Sequence, residues 1–367
     1  MRATDKAHLP RWFAILLALS ASFGSRPASQ APAQTLDIYV VDVEGGEATL
    51  FVTPSGESLL VDTGWPGFGG RDADRIHTVA KQAGVTRIDH LVVTHFHGDH
   101  AGGTAQLDAR LPIRRFVDHG SQVGEDERAQ LQSYLGVRGT RPRTEAKPGD
   151  TISIAGLDVR VIAAGGAVLP RTQPGQPNPL CATFKPQGPE ITSRAGDAGD
   201  GRSVSLSITY GRFRTVIMGD LNWNNEFDLM CPANRLGEVD VYLVSHHGSD
   251  TSGSPALVHA LRPRAAIMNN GPRKGGAVQT FQILAASPGL EDLWQNHYSV
   301  PGGSQHNRPE AFIANVDEGT RLPGAAADAA PVHMGPANWI KVSAGADGGF
   351  TITNSRSGLA KRYPPRR

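Results

Sequence analysis

Three histidines and an aspartate lie within six residues of this chain, directly after an apolar run at 91–93. A buried strand has little reason to end in so many titratable groups, whereas a metal site requires them. Alternate residues of an extended chain point to the same side, so His95 and His97 are expected to face one ion. Asp99 and His100 follow where the chain turns into a predicted helix, and can reach a second ion. Neutral imidazole and carboxylate suit zinc, manganese or iron.

Further candidate ligands stand at the ends of other predicted strands. Asp62 follows an apolar run and precedes Thr-Gly, and Asp220 follows the run Val-Ile-Met-Gly. His246 and His247 follow another apolar segment, in the sequence Ser-His-His-Gly-Ser.

The segment THFHGDHAGG resembles the HxHxDH signature of the metallo-β-lactamase superfamily. The GDL and SHHGS segments, together with DVEGGE at 42–47, make the chain most similar to the nuclease-like domain of the ComEC/Rec2 competence proteins, over roughly residues 36–270. The resemblance implies an α+β fold, the αββα sandwich of two packed mixed β-sheets with outer helices. Periodicity alone predicts only a mixture of helices and strands.

The resemblance also implies two divalent metal ions, for which Zn²⁺ is favoured and Mn²⁺ is the alternative. Asp220 would bridge them, with His95 and His97 on the first ion. Asp99, His100 and one of the two late histidines would hold the second ion, and His246 is favoured over His247 because it follows its strand as His95 does. Asp99 and Asp220 are the predicted catalytic residues.

The chain departs from the superfamily pattern at one position. A further histidine usually lies between the HxHxDH run and the bridging aspartate, and Ser203 stands in that place here. The first ion would then be weakly held or completed by water, by substrate or by His119, the only histidine between His100 and Asp220. His119 and Asp62 are otherwise expected to support the ligands through hydrogen bonds.

The N-terminal residues suggest export. Basic residues precede an apolar run at 12–19, and small residues follow, so 1–34 are predicted to be a signal peptide with a linker; the alternative is a buried helix. The mature protein would be periplasmic or secreted, with no transmembrane anchor. Cys181 and Cys231 would form a disulfide in an oxidising compartment; the alternative is two free thiols.

Three regions are predicted along the chain. After the signal and linker, residues 35–275 form the metallo-β-lactamase-like domain, with a long Gly- and Pro-rich loop insertion at 164–202 as a lid or rim. Residues 276–367 form a C-terminal extension that completes or decorates this domain. Strands are predicted at 36–42, 48–52, 58–61, 88–94, 115–117, 151–154, 157–162, 203–210, 213–218, 239–244 and 265–268, with helices at 72–83 and 125–135.

These features predict an exported metal-dependent hydrolase that uses a metal-bridging hydroxide, with phosphodiester or related phosphoryl substrates first. Arg273 and Lys274 follow a predicted strand and are candidate anion-binding residues; the alternative is a solvated turn. His297 lies in a Trp-His-Tyr cluster that could line a pocket if it is exposed, and a structural role is the favoured alternative. The 36 basic and 35 acidic residues give no strong field for nucleic acid, which suits a small substrate. The alternatives are hydrolysis of lactams, lactones or other small C–N or C–O substrates, and a non-catalytic ligand-binding module with a partly degraded metal site.

Overall fold

Two β-sheets packed face to face form the centre of the structure, a computed structural model that describes Met1 and residues 34–184, 197–316 and 333–366. Within these residues each sheet contains nine strands, with parallel and antiparallel pairs in both. Helices cover the outer face of each sheet. The αββα sandwich implied by the resemblance is therefore confirmed.

The first sheet brings residues from near both ends of the described chain together. In spatial order its strands are β20 (Ala360–Tyr363), β19 (Phe350–Asn354), β18 (Ile340–Ala344), β1 (Leu36–Val40), β2 (Thr49–Val52), β3 (Ser58–Val61), β4 (Ile88–Val92), β5 (Ile113–Asp118) and β6 (Arg143–Glu145). The strands from β3 to β6 run parallel, so their C-terminal ends lie at the same edge of the sheet.

The second sheet has its own parallel half. In spatial order it consists of β17 (Ile313–Asn315), β16 (Asp292–His297), β15 (Ala265–Met268), β14 (Val241–Leu243), β12 (Phe213–Ile217), β11 (Ser205–Tyr210), β8 (Leu157–Ala164) and β7 (Thr151–Ile154), with β9 (Ala167–Val168) paired to β8. Strands β12, β14, β15, β16 and β17 are parallel. A separate pair is formed by β10 (Gln176–Pro177) and β13 (Ala233–Asn234).

Helices form the two outer layers. Against the first sheet lie α1 (Arg71–Gln82), α2 (Gly98–Ala101), α3 (Thr104–Asp108) and α4 (Arg128–Arg138). After the short α5 (Asp197–Asp200), the helices α6 (Trp223–Met230), α7 (Pro255–Leu261) and α8 (Val278–Ala285) cover the second sheet, and α9 (Gly303–His306) follows. Short 3₁₀ helices occur at Phe68–Gly70, Pro179–Ala182, Ser245–Gly248 and Glu310–Phe312.

Strand alternation explains how these layers share apolar residues. In β1, Ile38 belongs to the core between the sheets, whereas its neighbour Tyr39 belongs to the core under the outer helices. In β4, Val92 and Leu91 divide between the two cores in the same way. Because a strand presents successive side chains to opposite faces, a strand covered on both sides contributes apolar side chains to both cores, as these two do.

The predicted loop insertion at 164–202 is more structured than expected in its described parts. It contains β9, β10, the 3₁₀ helix Pro179–Ala182 and α5, while residues 185–196 lie outside the described residues. The expected disulfide is present: Cys181 is bonded to Cys231, with a Cα–Cα distance of 5.6 Å. This bond ties the insertion to the end of α6.

The predicted signal peptide and linker, apart from Met1 and Gln34, lie outside the described residues. Within the part of the chain that is described, no helix combines the length and the apolar character needed to cross a membrane.

Candidate metal centre

The candidate ligands meet because the parallel strands of both sheets end at a shared edge. In the first sheet Asp62 follows β3, and His95 and His97 follow β4. Asp99 and His100 lie on α2, which begins directly after His97. In the second sheet Asp220 follows β12 and the two late histidines follow β14. The strand ends therefore supply the ligands from both sides of the sandwich.

Asp99, His100, Asp220 and His247 form one group of potential ligands, here called the Asp99 group. One nitrogen or oxygen of each lies within 4.8 Å of those of the others. His100 Nε2 is 3.2 Å from both Asp220 Oδ2 and His247 Nε2, and His247 Nε2 is 3.1 Å from Asp99 Oδ2. All four side chains are buried. Two imidazoles and two carboxylates match the donors and the coordination number of a zinc site.

His95, His97 and Asp200 form a second group, here called the His95 group. Asp200 Oδ1 lies 3.1 Å from His97 Nδ1 and 3.5 Å from His95 Nε2. Asp200 is also grouped with Asp220 and His246, whose Nε2 is 3.3 Å from Asp220 Oδ2. Asp220 therefore belongs to the Asp99 group and to this third group, and Asp200 belongs to the third group and to the His95 group, so the two carboxylates together connect the sets.

The placement of the late histidines corrects one expectation. We expected His246 beside Asp99 and His100, but the structure places His247 there and His246 near Asp200. The analogy with β4 assumed an extended chain after the strand. Instead the chain enters the 3₁₀ helix Ser245–Gly248, with left-handed φ angles of 52° at His246 and 54° at His247. This turn directs the second histidine, not the first, toward the Asp99 group.

Asp62 contacts the Nδ1 side of the His100 ring, opposite the Nε2 atom that faces Asp220. Its buried carboxylate accepts hydrogen bonds from Thr94 N at 2.7 Å and Thr94 Oγ1 at 2.6 Å, and lies 2.8 Å from His100 Nδ1. A carboxylate on one ring nitrogen fixes the orientation of the ring and leaves the other nitrogen for an ion. Asp62 has a φ of 60°, which is uncommon for a residue with a side chain.

A second buried carboxylate holds the loop that follows the late histidines. Glu226 on α6 accepts hydrogen bonds from Gly253 N and Ser254 N, both at 2.7 Å. The same loop brings Ser252 Oγ to 3.1 Å from His246 Nδ1. Burial raises the pKa of Glu226 to about 7 although these hydrogen bonds act in the opposite direction. The loop position therefore depends on a fully enclosed carboxyl group.

Electrostatic coupling between the grouped side chains is strong. Burial opposes protonation of His100, but the carboxylates of Asp220, Asp99 and Asp62 outweigh it and raise the pKa of His100 well above its usual value. Burial likewise opposes ionisation of Asp220 and Asp99, yet neighbouring histidines hold the pKa of both well below its usual range. Burial and two neighbouring imidazoles lower the pKa of His95. Protons on histidine thus balance the carboxylates.

The donor set fits two divalent ions. Asp220 Oδ1 is buried and has no hydrogen-bond partner among the described residues, so a second ligand atom of this carboxylate is available. The ammonium of Lys274 contacts Asp99 Oδ2, where a cation neutralises the carboxylate. The Asp99 group and the His95 group, joined through Asp220 and Asp200, are the residues that would hold the two ions.

The two residues considered as supports for the first ion, Ser203 and His119, both lie outside the ligand groups. Ser203 Oγ accepts a hydrogen bond from Asp220 N at 3.1 Å and lies 3.4 Å from His95 Nδ1, behind the ligand groups. His119 follows β5 and packs its ring on Phe96 with a centroid distance of 5.2 Å. Neither belongs to a ligand group among the described residues. Burial lowers the pKa of His119, which favours its neutral form.

The candidate substrate residues divide between the site and the interior. Lys274 reaches the metal face, where it contacts Asp99 and lies 4.8 Å from the centroid of the Trp65 ring; Arg273 beside it is exposed. His297 does not line an exposed pocket, because β16 lies between β15 and β17 and His297 is completely buried. His297 Nε2 lies 2.8 Å from Asp42 Oδ2, in a separate group with Glu44 and His333.

Asp200 is the grouped residue that the sequence reasoning missed. It lies three residues before Ser203, on the four-residue α5. The side chain that joins His95 and His97 in place of the absent histidine is therefore three residues nearer the N-terminus than the predicted position. The signal that could have revealed it is the acidic, glycine-rich segment GDAGDG immediately before β11.

Three comparisons identify proteins to which this chain is similar. The family model described as "Metallo-beta-lactamase superfamily" matches residues 42–167. Recombination protein 2 of Haemophilus influenzae is 26% identical over 238 residues, covering 65% of this chain and 24% of that protein. ComE operon protein 3 of Bacillus subtilis is 24% identical over 188 residues, covering 51% and 20%. A Cronobacter sakazakii metallo-β-lactamase structure has a TM-score of 0.34 at 17% identity, covering 57% of this chain and 74% of that one. The chain thus spans a quarter or less of the length of these two curated relatives.

Proposed function

Because this chain belongs to the metallo-β-lactamase superfamily, with its similarity to the ComEC/Rec2-like members, we propose that it is an exported metal-dependent hydrolase that cleaves phosphodiester or related phosphoryl bonds. This proposal rests on the Asp99 group and the His95 group, which are connected through Asp220 and Asp200. When two divalent ions are bound at such a site, they lower the pKa of a shared water and neutralise charge that develops on the substrate. Zn²⁺ is the proposed metal and Mn²⁺ the alternative.

Each side chain has a proposed role in this chemistry. Asp99, His100, Asp220 and His247 hold one ion, and His95, His97, Asp200 and His246 hold the other, with Asp220 shared. Asp99 is the proposed acceptor of the proton that leaves the attacking water, because its Oδ2 lies beside His100, His247 and Lys274 at the metal face. Asp62 keeps His100 oriented through its Nδ1. Ser203 fixes the backbone at Asp220.

The anionic substrate class is supported by the position of Lys274. Its ammonium contacts Asp99, and once that carboxylate binds a metal the ammonium can instead offset the charge of a phosphoryl oxygen. The Trp65 ring at 4.8 Å keeps it near this position. Arg273, exposed beside it, is the second proposed cation. One curated relative is named for recombination, which makes phosphodiesters the first class to test.

Export and domain organisation form part of the same proposal. Residues 1–34 would direct the protein to the periplasm or the medium, and the Cys181–Cys231 disulfide supports an oxidising compartment. Residues 35–275 would form the catalytic domain, and 276–367 would complete it. The balanced charge of the chain, 36 basic against 35 acidic residues, favours a small phosphodiester over a long nucleic acid.

A hydrolysis panel tests the proposal. Purified protein loaded with Zn²⁺ or Mn²⁺ is offered bis(p-nitrophenyl) phosphate, single-stranded DNA, a chromogenic β-lactam and a lactone, and metal content is measured in parallel. We expect two metal equivalents and turnover of the phosphodiester, both abolished by Asp220→Ala. Asp228→Ala, the same substitution at an exposed position on α6, is the matched control and should retain activity. Wild-type rates in Asp220→Ala would refute the assignment.

Other outcomes of the panel favour the alternatives. Turnover of the lactam or lactone without phosphodiester turnover would indicate a C–N or C–O hydrolase, which the balanced charge also suits. Metal binding without turnover of any substrate would indicate a ligand-binding module.

A further inference from the structure

A cleft of about 620 Å³ lies at the ends of β5, β6 and β8, outside the two ligand groups. Polar and charged side chains dominate the residues that line it: His119, Ser121, Gln122, Glu145, Lys147 and Arg202. β5 and β6 continue the parallel set that begins with β3 and β4, so the cleft opens at the same edge of the first sheet as the strand ends that carry His95 and His97.

Two contacts link the lining of the cleft to the candidate metal centre. Phe96, between His95 and His97 in the chain, packs its ring on the His119 ring with a centroid distance of 5.2 Å. Arg202 follows Asp200 by two residues, and its NH1 donates a hydrogen bond to Ala198 O at 3.1 Å within the turn that carries Asp200. Phe96 and the turn that carries Asp200 therefore link the lining of the cleft to the ligand groups.

His119 is the observation that points to a ligand. Its side chain is buried, with 6% of the residue exposed, yet neither ring nitrogen has a hydrogen-bond partner among the described residues. Buried polar groups in folded proteins are nearly always paired, and leaving one unpaired costs about 1–3 kcal/mol. A ligand or ordered water in the cleft would satisfy this imidazole.

The charges of the lining indicate the sign of that ligand. Arg202 and the exposed Lys147 contribute positive charge. Arg202 lies 3.9 Å from the buried Glu127, and Glu145 lies 3.9 Å from Arg143, so each of these two carboxylates is offset by a guanidinium. A guanidinium, an ammonium and a neutral imidazole together suit an oxyanion.

From these observations, and resting on the proposed function, we infer that the cleft lined by His119, Lys147 and Arg202 binds a second anionic group of the substrate, a phosphate or a carboxylate beyond the scissile bond. The enzyme would then prefer substrates with two anionic groups, such as short oligonucleotides, over simple diesters. The metal centre would carry the chemistry, and the cleft would determine which diesters are held long enough to react.

Two substrates with the same leaving group test this inference. Thymidine 5′-(p-nitrophenyl phosphate) has one phosphate, and its 3′-phosphorylated form adds only a second anion. We expect wild type to prefer the 3′-phosphorylated form by at least about tenfold in kcat/KM, as one charge-assisted contact would give. Lys147→Glu and Arg202→Gln should each reduce that preference through KM, with little effect on the substrate that lacks the 3′-phosphate. His119→Phe, which keeps a ring against Phe96, should do the same more weakly.

Lys81→Glu, the same charge reversal at an exposed position in the last turn of α1, is the matched control and should leave the preference unchanged. A wild-type enzyme without the preference, or variants that affect both substrates equally, would overturn the inference.

If no phosphodiester is cleaved, calorimetric binding of thymidine 3′,5′-bisphosphate and thymidine 5′-monophosphate to the zinc-loaded protein still decides the matter. Tighter binding of the bisphosphate that Lys147→Glu weakens would support the cleft although the proposed function had failed. Equal binding of both nucleotides would overturn the inference.

Discussion

Asp200 shows that a residue of the candidate metal centre need not belong to a recognisable sequence motif. The histidines at 95–100 were predictable because several metal ligands occur together after a strand, and few sites other than a metal centre require that pattern. Asp200 instead lies in a glycine-rich segment where acidic residues are common and usually solvated. What distinguishes it is its position beside His95 and His97, which arises from the packing of the two sheets and which the acidic, glycine-rich segment around it indicates only weakly.

Removal of the Asp200 carboxylate tests its proposed role as a ligand. Asp200→Ala removes the carboxylate that lies beside both His95 and His97, so we expect the metal content to fall from two ions toward one per chain. The affinity for the weaker ion should fall by at least about tenfold. Elemental analysis after dialysis against limiting Zn²⁺ measures both effects, and Asp228→Ala is the control of equal chemistry at an exposed site. Two tightly held ions in Asp200→Ala would exclude this ligand assignment.

Proton release on metal binding is a second prediction at the residue scale. The pKa of His100 is raised well above its usual value, against the effect of burial, by Asp220, Asp99 and Asp62, so its ring carries a proton at neutral pH. A metal needs the deprotonated Nε2 and must displace that proton. His95, whose pKa burial lowers, is already neutral and releases none.

Apparent metal affinity should therefore rise with pH between 6 and 8, by about tenfold per pH unit for each proton released. Calorimetric titration with Zn²⁺ in buffers of different ionisation enthalpy counts the protons. Asp62→Asn, which removes one of the carboxylates that raise this pKa, should reduce the count. Heats that do not depend on the buffer, together with an affinity that does not depend on pH, would contradict the expected protonation of His100.

At the scale of elements, predictions succeeded where a pattern is local. The strands β3, β7 and β15 have the predicted bounds, and α1 differs from the predicted 72–83 by one residue at each end. By contrast, the basic residues near the C-terminus have partners that lie far away in the chain: Lys361 lies on β20 and pairs with Asp292. Arg366 pairs with Glu238 and Asp240. Their partners lie 69 to 128 residues away in the chain, so no local pattern could have indicated them.

The disulfide allows a prediction about the 164–202 segment. Cys181 and Cys231 are separated by 50 residues, and the chain-entropy model gives a stabilisation of about 4 kcal/mol for a loop of that length. Cys181→Ser with Cys231→Ser should therefore lower the melting temperature by on the order of 10 °C. Because neither cysteine belongs to a ligand group, the metal content should stay at two ions.

Wild-type protein treated with reductant is the natural control, and its melting temperature should approach that of the double variant. A double variant with the same melting temperature as the oxidised wild type would show that the disulfide does not contribute to stability.

At the scale of the whole molecule, the two ends of the described chain are joined in one sheet. β18 pairs with β1 along five residues, and β19 and β20 extend the sheet beyond it. The sequence predicted that residues 276–367 would complete or decorate the domain, but it could not distinguish these two possibilities. Pairing between strands about 300 residues apart depends on which edge of the first sheet remains unpaired once its other strands have assembled. This is a property of the assembled fold.

A truncation after Val316 decides between completion and decoration. It would remove five large side chains from the core between the sheets: Ile340, Val342, Phe350, Ile352 and Tyr363. At about 2 kcal/mol for each buried side chain, the loss is about 10 kcal/mol, which equals the whole stability of a typical domain. The truncation would also leave β1 as an open edge, which promotes aggregation.

We therefore expect the fragment 34–316 to be insoluble, or to elute as aggregates without a cooperative thermal transition, even with Zn²⁺ present. Tyr363→Phe is the control for a mild change in the same strand, because it removes only the hydrogen bonds to Trp294 Nε1 and Asp292 Oδ2. That variant should stay folded and lose about 1–3 kcal/mol. A monomeric fragment that binds two ions and melts cooperatively would instead show that the metal centre folds without the C-terminal strands. The domain boundary proposed at residue 275 would then separate two independent parts of the molecule.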